Sequence, residues 1–320
     1  MRYFITGGAG FIGSHLSERL IATGGEVMAI DNFDPYYDPA IKRTNIEGLL
    51  SAGDFSLAEA DIRDRTAMEK IMGDFSPDIV IHLAARAGVR PSLLDPVLYQ
   101  DVNMIGTNVL LEVSRQMGIK NFVFASSSSI YGNCVNVPFT EDDHSATPIS
   151  PYGATKRGGE VLCETYRILY DMKIVCLRFF TVYGPRQRPD MAIHKFTRLI
   201  DGGDPIEVYA SDNSARDYTY IDDILQGICG SIDFVCEKKT PVFEVVNLGE
   251  SRTVHLNELI GLIEKNLGKR AKRIEKSRQP GDVLTTYANI DKARRLFGYD
   301  PKTPIEDGIK KFVKWYKKSG

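Results

Sequence analysis

Short apolar runs alternate with longer amphipathic stretches through the first half of the chain. The runs RYFIT, EVMAID, DIVIHLAA, NFVFASS and KIVCLRFF predict strands, because they are short and continuous and are bounded by turn residues. The stretches between them predict helices over Ile12–Ala22, from about Val97 to Met117, and over about Tyr152–Tyr170. Such an alternation is typical of a parallel sheet covered by helices on both faces, so we expect a doubly wound α/β fold.

The alternation becomes less regular after about Phe180. The segment TVYGPRQRPD is rich in Gly, Pro and charge and predicts an irregular loop. Beyond it we expect a helix near 192–201, a strand at IEVYA, a helix from Ile221, a strand at EVVNLG and a helix at LNELIGLIEKNLG. The chain ends on IEDGIKKFVKWYKK, which predicts an amphipathic helix. No Pro/Ser-rich linker separates the halves, so we expect them to pack tightly.

Composition narrows the classes of function. A chain of 320 residues suggests two domains or one large elaborated domain. A net charge of −2 argues against a general nucleic-acid or anionic-membrane binder. The five cysteines form no CxxC pair or cluster with histidine, so we expect neither a metal site nor a disulfide framework, and a reducing cytoplasm fits. We also expect no signal peptide and no membrane-spanning helix.

A glycine-rich turn follows the first predicted strand. Gly7, Gly10 and Gly13 stand as GxxGxxG between that strand and a helix. Glycine permits a tight turn and a close approach of backbone to phosphate, and the helix N-terminus offers free N–H groups to a pyrophosphate. The second strand ends in Asp31, where a carboxylate binds the adenosine ribose hydroxyls and repels a 2′-phosphate. The pattern predicts NAD; the alternative is a structural turn with a solvent-facing aspartate.

Tyr152 and Lys156 lie four residues apart in SPYGATKRGGE and therefore share one face of a helix. A free tyrosine has a pKa near 10, and a nearby ammonium or nicotinamide cation favours the phenolate. The pair can serve as an acid/base device on a carbinol oxygen. In isolation a surface helix with an aromatic and a charge is the commoner explanation, but the dinucleotide turn favours the catalytic one.

Four serines, Ser126 to Ser129, follow the apolar run NFVFA. Ligands of an open parallel sheet bind outside the carboxyl ends of its strands, which is where these hydroxyls fall. A hydroxyl there can donate to a sugar oxygen. Because alternate residues point to opposite faces, some of the serines can simply satisfy loop backbone. A flexible linker fits poorly behind a buried strand.

These motifs together resemble the extended short-chain dehydrogenases that act on nucleotide sugars. The resemblance rests on the glycine turn, HLAA (82–85), NMIGTNVLLE, SSSSIYG, the Tyr-x-x-x-Lys pair, RDYTYIDDI and GDVLTTYANIDKARRLFGYDP, and it spans nearly the whole chain. It implies an NAD-binding Rossmann domain over 1–180, with a later segment of about 217–248 returning to it. It implies a smaller α/β domain, mainly 181–320 and interleaved in sequence, that binds the nucleotide sugar.

The resemblance also implies individual roles. Ser127, Tyr152 and Lys156 correspond to the catalytic residues. Cofactor contacts are implied for Gly7, Gly10, Phe11, Ile12, Gly13, Asp31, Asn32, Asp61, Ile62, Leu83, Ala84, Ala85, Asn103, Ser126, Tyr152 and Lys156. Substrate contacts are implied for Ser127, Ser128, Thr181, Arg188, Tyr209, Arg216 and Arg278. Of these, Arg216 and Arg278 would hold the diphosphate and Tyr209 the uracil.

Within this family the residues favour a 4-epimerase. Related dehydratases carry Asp and Glu after the catalytic Thr, and decarboxylases carry a nearby Glu, whereas this chain has Ser128 and Ser129. Tyr152 would take the C4 hydroxyl proton as hydride passes to NAD. The 4-keto sugar would rotate in the site and take the hydride back on its other face. NAD would therefore be regenerated each turnover and stay tightly bound.

The segment LRFFTVYGPRQRPDMA resembles the uronate 4-epimerases, in which Thr181 and Arg188 would contact the C6 carboxylate. UDP-glucuronate and UDP-galacturonate are therefore the expected pair. UDP-glucose or UDP-N-acetylglucosamine epimerisation is the main alternative; a UDP-glucuronate decarboxylase and a non-catalytic NAD-binding regulator are less favoured. The resemblance further implies a homodimer through the helices at about 97–117 and 152–170.

Overall fold

A computed structural model describes residues 1–209, 214–277, 283 and 285–319. Its strands are β1 (Arg2–Thr6), β2 (Glu26–Asp31), β3 (Phe55–Glu59), β4 (Ile79–His82), β5 (Asn121–Ser127), β6 (Lys173–Phe179), β7 (Thr181–Tyr183), β8 (Pro205–Val208), β9 (Ala215–Tyr220), β10 (Val242–Leu248), β11 (Thr253–His255) and β12 (Lys272–Glu275). Its helices are α1 (Phe11–Ala22), α2 (Pro39–Ile46), α3 (Arg65–Phe75), α4 (Val89–Leu94), α5 (Pro96–Gln100), α6 (Gly106–Gln116), α7 (Pro151–Tyr170), α8 (Ala192–Gly202), α9 (Ile221–Glu237), α10 (Leu256–Leu267), α11 (Asp291–Phe297) and α12 (Ile305–Ser319).

A seven-stranded sheet forms the centre of the molecule, in the order β10-β6-β5-β4-β1-β2-β3. All of its pairings are parallel. The doubly wound α/β prediction is therefore confirmed. The strand order reverses between β1 and β4, and such a reversal opens a crevice at the carboxyl ends of the strands.

Alternate residues of the central strands feed two separate cores. Ile5 and Ile81 belong to one buried cluster, whereas their neighbours Phe4 and Val80 belong to the other. All four side chains are fully buried, so both faces of the sheet are covered. This explains why these strands are continuously apolar instead of alternating with polar residues.

Two smaller sheets lie beyond β6. One has the order β11-β9-β7, and the other pairs β12 with β8 in parallel. The chain passes from β9 in the first of these, through α9, back to β10 at the edge of the large sheet. The expected loop after Phe180 thus contains the short strand β7, and the expected strand at IEVYA is β8, which pairs with β12.

The helix expected from Val97 to Met117 is interrupted. It consists of α5, a π-helical turn over Asp101–Ile105, and α6. A π-helical turn inserts an extra residue and often marks a functional site. Here the turn carries Asn103, whose side chain reaches the loop after β4.

Two absences concern the described part of the chain. None of its helices has the length and apolar character that crossing a membrane requires. Within the same residues, no group of three or more His, Cys, Asp or Glu is placed to hold a metal ion.

Candidate active site

One cleft opens at the carboxyl ends of the central strands, and most of the predicted site residues line it. These are Gly7, Gly10, Phe11, Ile12, Gly13, Asp31, Asn32, Asp61, Ile62, Leu83, Ala84, Ala85, Ser126, Ser127, Ser128, Tyr152, Lys156, Thr181 and Arg188. Parallel strands bring their carboxyl ends to a single sheet edge, so motifs far apart in sequence converge there.

The glycine turn has no room for side chains. A Cβ on Gly13 would lie 2.2 Å from the carbonyl oxygen of Gly7, and one on Gly7 would lie 2.9 Å from the backbone nitrogen of Ala84. Gly7 also has a positive φ of 68°, which favours glycine. Helix α1 begins after Gly10 without a side-chain cap. Its first N–H groups are therefore available to an anion, and the turn fits the pyrophosphate of a dinucleotide.

Asp31 ends β2 at the edge of the same cleft. Its Oδ1 accepts hydrogen bonds from the backbone N–H of Phe33 at 2.9 Å and from Nζ of Lys42 at 3.1 Å. The Lys42 side chain is also buried and lines the cleft. Oδ2 makes no hydrogen bond to the described residues, so this oxygen is the one that a ribose hydroxyl can use.

Asn32 and Asp61 meet farther along the cleft. Nδ2 of Asn32 donates to Oδ2 of Asp61 at 3.1 Å. Arg63 donates to both carboxylate oxygens of Asp61, and these hydrogen bonds are the main cause that lowers the pKa of Asp61 to about 2. The carboxylate is thus charged at neutral pH and fixed in place by its neighbours.

Tyr152 and Lys156 are positioned by the start of α7. Ser150 caps this helix by accepting from the N–H of Gly153 at 3.1 Å, and Pro151 occupies the first turn. Ser127, which ends β5, lies against Tyr152: burial raises the pKa of Tyr152, while the Ser127 hydroxyl and the charge of Arg188 lower it. The Tyr152 hydroxyl is therefore held between a hydroxyl and a cation.

Lys156 is almost fully buried and donates from Nζ to the carbonyl oxygen of Ala125 at 2.7 Å. Desolvation by burial lowers its pKa to about 8. The sequence predicts that Lys156 lowers the pKa of Tyr152. In the structure the lysine donates to the β5 backbone, and the charge of Arg188 contributes to lowering the pKa of Tyr152.

A buried polar network lies behind the serines. Oγ of Ser126 donates to Oε1 of Glu160 at 2.7 Å. Arg178 grips the same carboxylate with two hydrogen bonds of 2.9 Å and donates from Nη1 to the hydroxyl of Tyr131. Glu160 lies one turn beyond Lys156 on α7, so this network ties the helix to β5 and β6 directly beneath the cleft.

Thr181 and Arg188 lie in the cleft with Tyr152. Arg188 forms a two-point ion pair with Asp190, with Nε–Oδ1 at 3.0 Å and Nη2–Oδ2 at 2.9 Å. Burial opposes the charge of Arg188, but the hydrogen bonds that Arg188 donates to Asp190 outweigh it, so the pKa of Arg188 is raised. A permanently charged guanidinium therefore stands in the cleft beside the tyrosine.

Three of the predicted residues that the structure describes are not in this lining, and a fourth, Arg278, is not described. Asn103 accepts from the N–H of Arg86 at 2.8 Å and donates to its carbonyl at 3.0 Å, so it fixes the loop after β4. Tyr209 donates to the carboxylate of Glu207. Arg216 lies on β9 and donates to the carbonyl of Ala215. Arg278 lies outside the described residues.

Sequence reasoning missed several side chains of this site. Tyr36, Lys42 and Asp190 were not identified individually. The ion pairs of Lys42 and Asp190 depend on side-chain directions, and Tyr36 reaches Asp190 across 154 residues of sequence. Arg178 did give one: it is the single charge inside the apolar run IVCLRFF, and a charge in a buried strand requires a partner. Glu160, four residues after Lys156 on the same helix face, was the available partner.

The chain is similar to known nucleotide-sugar enzymes. A family model described as GDP-mannose 4,6 dehydratase matches residues 4–312. A UDP-glucuronate 4-epimerase of Thermodesulfobacterium geofontis (strain OPF15) is 41% identical over 318 residues, covering 99% of this chain and 96% of the relative.

Solved structures are similar over the whole chain. The UDP-glucuronic acid 4-epimerase of Bacillus cereus in complex with UDP-glucuronic acid and NAD has a TM-score of 0.93 and 35% identity, covering 100% of both chains. The UDP-glucose 4-epimerase of Thermotoga maritima with UDP-glucose has a TM-score of 0.88 and 33% identity, covering 100% of this chain and 99% of that one.

Proposed function

The chain belongs to the GDP-mannose 4,6-dehydratase family of extended short-chain dehydrogenases, and we propose that it is an NAD-dependent UDP-glucuronate 4-epimerase. It interconverts UDP-glucuronate and UDP-galacturonate. The observation that carries this proposal is the charged Arg188 in the same cleft as Tyr152. The similarity to UDP-glucuronate 4-epimerases over the full chain supports it.

NAD fits the cradle formed by the glycine turn and Asp31. Gly7, Gly10 and the N-terminus of α1 would hold the pyrophosphate, and Asp31 would bind the adenosine ribose and disfavour a 2′-phosphate. Asn32 would contact the adenosine, and Asp61 and Ile62 would flank the adenine. When bound, NAD accepts a hydride from C4 of the sugar and returns it, so the cofactor stays in the protein through each turnover.

Tyr152 moves the proton at the C4 oxygen. It removes the hydroxyl proton as the ketone forms and gives it back as the ketone is reduced. The charge of Arg188 favours the phenolate, and the Ser127 hydroxyl stabilises it by donating a hydrogen bond. Once Tyr152 holds the proton, the single Ser127 hydroxyl proton turns to the ketone oxygen and polarises it. Burial excludes water from the reacting atoms.

Arg188 and Thr181 bind the C6 carboxylate of the uronate. A guanidinium presents parallel donors that match a carboxylate, and the enclosed site strengthens the attraction. Ser128 lies beside Ser127 and contacts the sugar. Tyr209, Arg216 and Arg278 are proposed to hold the UDP moiety from the smaller domain. That domain is mainly 181–320, and the NAD domain comprises 1–180 with the returning segment of about 217–248.

UDP-glucose 4-epimerisation is the second candidate, which the similarity to the Thermotoga maritima enzyme favours. A decarboxylase or dehydratase requires a further acid near the catalytic serine. The carboxylate beneath the serines, Glu160, is already bound by Arg178 and Ser126. A non-catalytic NAD-binding regulator is disfavoured because Ser127, Tyr152 and Lys156 are all in the cleft.

The protein is proposed to act as a cytoplasmic homodimer. Helices α4, α5 and α7 and the π-helical turn leave large apolar side chains exposed, namely Leu94, Val97, Ile105, Val161, Ile168 and Leu169. Exposed apolar residues grouped on neighbouring helices indicate a protein interface. The five cysteines are all unpaired, which supports a reducing compartment. Light scattering of the purified protein tests the dimer.

The deciding experiment follows the anomeric protons by NMR, with and without added NAD, separately for UDP-glucuronate and UDP-glucose. Formation of UDP-galacturonate with UDP-glucose inert is expected. Conversion of UDP-glucose with UDP-glucuronate untouched would overturn the uronate assignment and retain the epimerase. Release of carbon dioxide with formation of a UDP-pentose would overturn the epimerase as well.

A further inference from the structure

Arg188 is held by a set of contacts that leaves one edge of its guanidinium open. Asp190 occupies the edge formed by Nε and Nη2, with hydrogen bonds of 3.0 and 2.9 Å. Nη1 makes no hydrogen bond to the described residues. A guanidinium has a second edge, formed by Nη1 and Nη2, that can bind another carboxylate side by side.

The loop between β2 and α2 contributes a tyrosine, Tyr36, that contacts the Arg188–Asp190 ion pair. The ring of Tyr36 lies 5.6 Å from the guanidinium carbon of Arg188, and its hydroxyl donates to Oδ2 of Asp190 at 3.3 Å. Tyr36 therefore contacts both members of the ion pair. It blocks one face of the guanidinium plane while it holds the carboxylate.

Tyr36 also contacts a second arginine, Arg86. Arg86 lies 5.0 Å from the same ring and is paired with Asp34, whose Oδ1 also accepts from the N–H of Tyr36 at 2.9 Å. Gly88 makes room for the phenol, since a Cβ there would lie 3.0 Å from the Tyr36 oxygen. The tyrosine thus contacts two arginines.

We propose that Asp190 and Tyr36 are positioning residues that fix Arg188 so that its open edge receives the carboxylate of a uronate. This deepens the proposed function and rests on it. Asp190 makes no contact with the sugar in this scheme. It acts by removing the rotational freedom of Arg188 before substrate arrives, and such preorganisation improves affinity by lowering the cost of ordering.

The proposal makes a selective prediction about binding. UDP-glucuronate and UDP share the nucleotide, but UDP lacks the carboxylate. Asp190→Ala removes both hydrogen bonds to Arg188, so UDP-glucuronate should bind about 10-fold more weakly, as expected for a lost charge-assisted contact. UDP should bind within about 2-fold of the wild type. KM for the uronate should rise more than kcat falls, because the reacting atoms are not touched.

Two further variants grade the effect. Asp190→Asn keeps the shape and one acceptor oxygen, and Tyr36→Phe removes one hydroxyl. Both should therefore weaken the binding of UDP-glucuronate by less than Asp190→Ala does. Asp74→Asn is the matched control, because it breaks an exposed ion pair of 2.5 Å with Lys70 on α3. Calorimetric titration of the NAD-loaded proteins with both ligands gives the comparison.

The outcomes separate the two proposals. If wild-type protein shows no preference for UDP-glucuronate over UDP and no uronate turnover, the proposed function fails before any variant is compared. If the wild type turns over the uronate but Asp190→Ala binds it as well or more tightly, the positioning role fails. Equal losses for UDP and UDP-glucuronate would show a general structural defect and would also overturn it.

Discussion

Lys156 on α7 donates a hydrogen bond of 2.7 Å to the carbonyl oxygen of Ala125 on β5. The bond joins the helix that carries Tyr152 to the strand that carries Ser127, at the point where the two approach the cleft. The ammonium group is buried, and its desolvation lowers the pKa of Lys156 to about 8. This contact has a consequence for stability that is separate from catalysis.

Lys156→Met should stabilise the cofactor-stripped protein near neutral pH. Between about pH 8 and the unfolded pKa near 10.5, the unfolded chain binds more protons, so wild-type stability rises with pH. Below pH 8 the buried charge costs about 3 kcal/mol, and losing the hydrogen bond to Ala125 returns about 1 kcal/mol of that. The free energy of unfolding of the variant should therefore exceed that of the wild type by about 2 kcal/mol at pH 7. It should not show the wild-type increase above pH 8.

Urea unfolding at pH 7, 8.5 and 10 measures this difference. Lys120→Met is the control, because Lys120 also donates to a backbone carbonyl, that of Tyr170 at 2.7 Å, but from an exposed position. An identical response of the two variants would contradict the buried-charge argument.

Tyr152→Phe should reduce turnover by about 10²- to 10⁴-fold, the range for removal of a general acid/base. The cofactor should remain bound, since its cradle is formed by other residues. Turnover is measured by NMR and cofactor content by its absorbance after denaturation. Tyr99→Phe is a neighbouring control, because its ring lies 6.3 Å from that of Tyr152 and its hydroxyl, among the described residues, bonds to the Ala87 carbonyl and to no other group. Comparable turnover in both variants would exclude Tyr152 as the acid/base.

Arg188→Met should reduce kcat/KM for UDP-glucuronate by about 100-fold, as expected when a buried carboxylate loses its charged partner. Binding of UDP should be unaffected. Arg186→Met serves as the control, since Arg186 lies two residues away and pairs with Glu18 instead. Parallel kinetics and UDP titrations provide the measurement. A loss that is equal for UDP would mean that Arg188 supports the cleft generally.

Glu160→Gln should destabilise the protein by about 3 kcal/mol or more, because it leaves Arg178 buried without its counter-charge. Arg178→Met should cost less, since Arg157 still pairs with Glu160 at 3.0 Å. Combining Glu160→Gln with Arg178→Met should recover part of the loss, because neither charge is then left buried alone. Urea unfolding of the cycle tests this ranking. Additive losses in the double variant would argue against a coupled pair.

Gly13→Ala should destabilise the protein by about 1–3 kcal/mol and weaken NAD binding, because its Cβ would collide with the Gly7 carbonyl. Gly48→Ala is the control, since a Cβ there meets no atom within 4 Å. Thermal unfolding with and without added NAD reports both effects. An NAD-dependent stabilisation that is unchanged in Gly13→Ala would show that the turn does not contact the cofactor.

Much of the fold was predictable because the central strands are buried on both faces. RYFIT, EVMAID and NFVFASS need no tertiary information to be identified, and they became β1, β2 and β5. The edge strand β3 was missed because most of its residues are partly or fully exposed, so FSLAE is not a continuous apolar run. The strands β7 and β11 have three residues each, too few to produce a period.

For the candidate site, the location of the motifs was predictable from the sequence but their side-chain partners were not. Its motifs could be assigned to one sheet edge, because strand order and chain direction determine where the carboxyl ends meet. The partners of those motifs could not be assigned. Lys42 reaches Asp31 from a helix, and Lys156 chooses a backbone carbonyl. Such choices depend on side-chain directions that sequence spacing does not specify.

The contact between Tyr36 and Asp190 spans 154 residues of sequence. A graft of the 181–191 segment alone into a neutral-sugar epimerase would therefore transfer Arg188 and Asp190 without Tyr36, which contacts both of them. The two segments therefore depend on each other although they lie far apart in the sequence. A chimera that exchanges both should acquire uronate selectivity, whereas exchange of either segment alone should not.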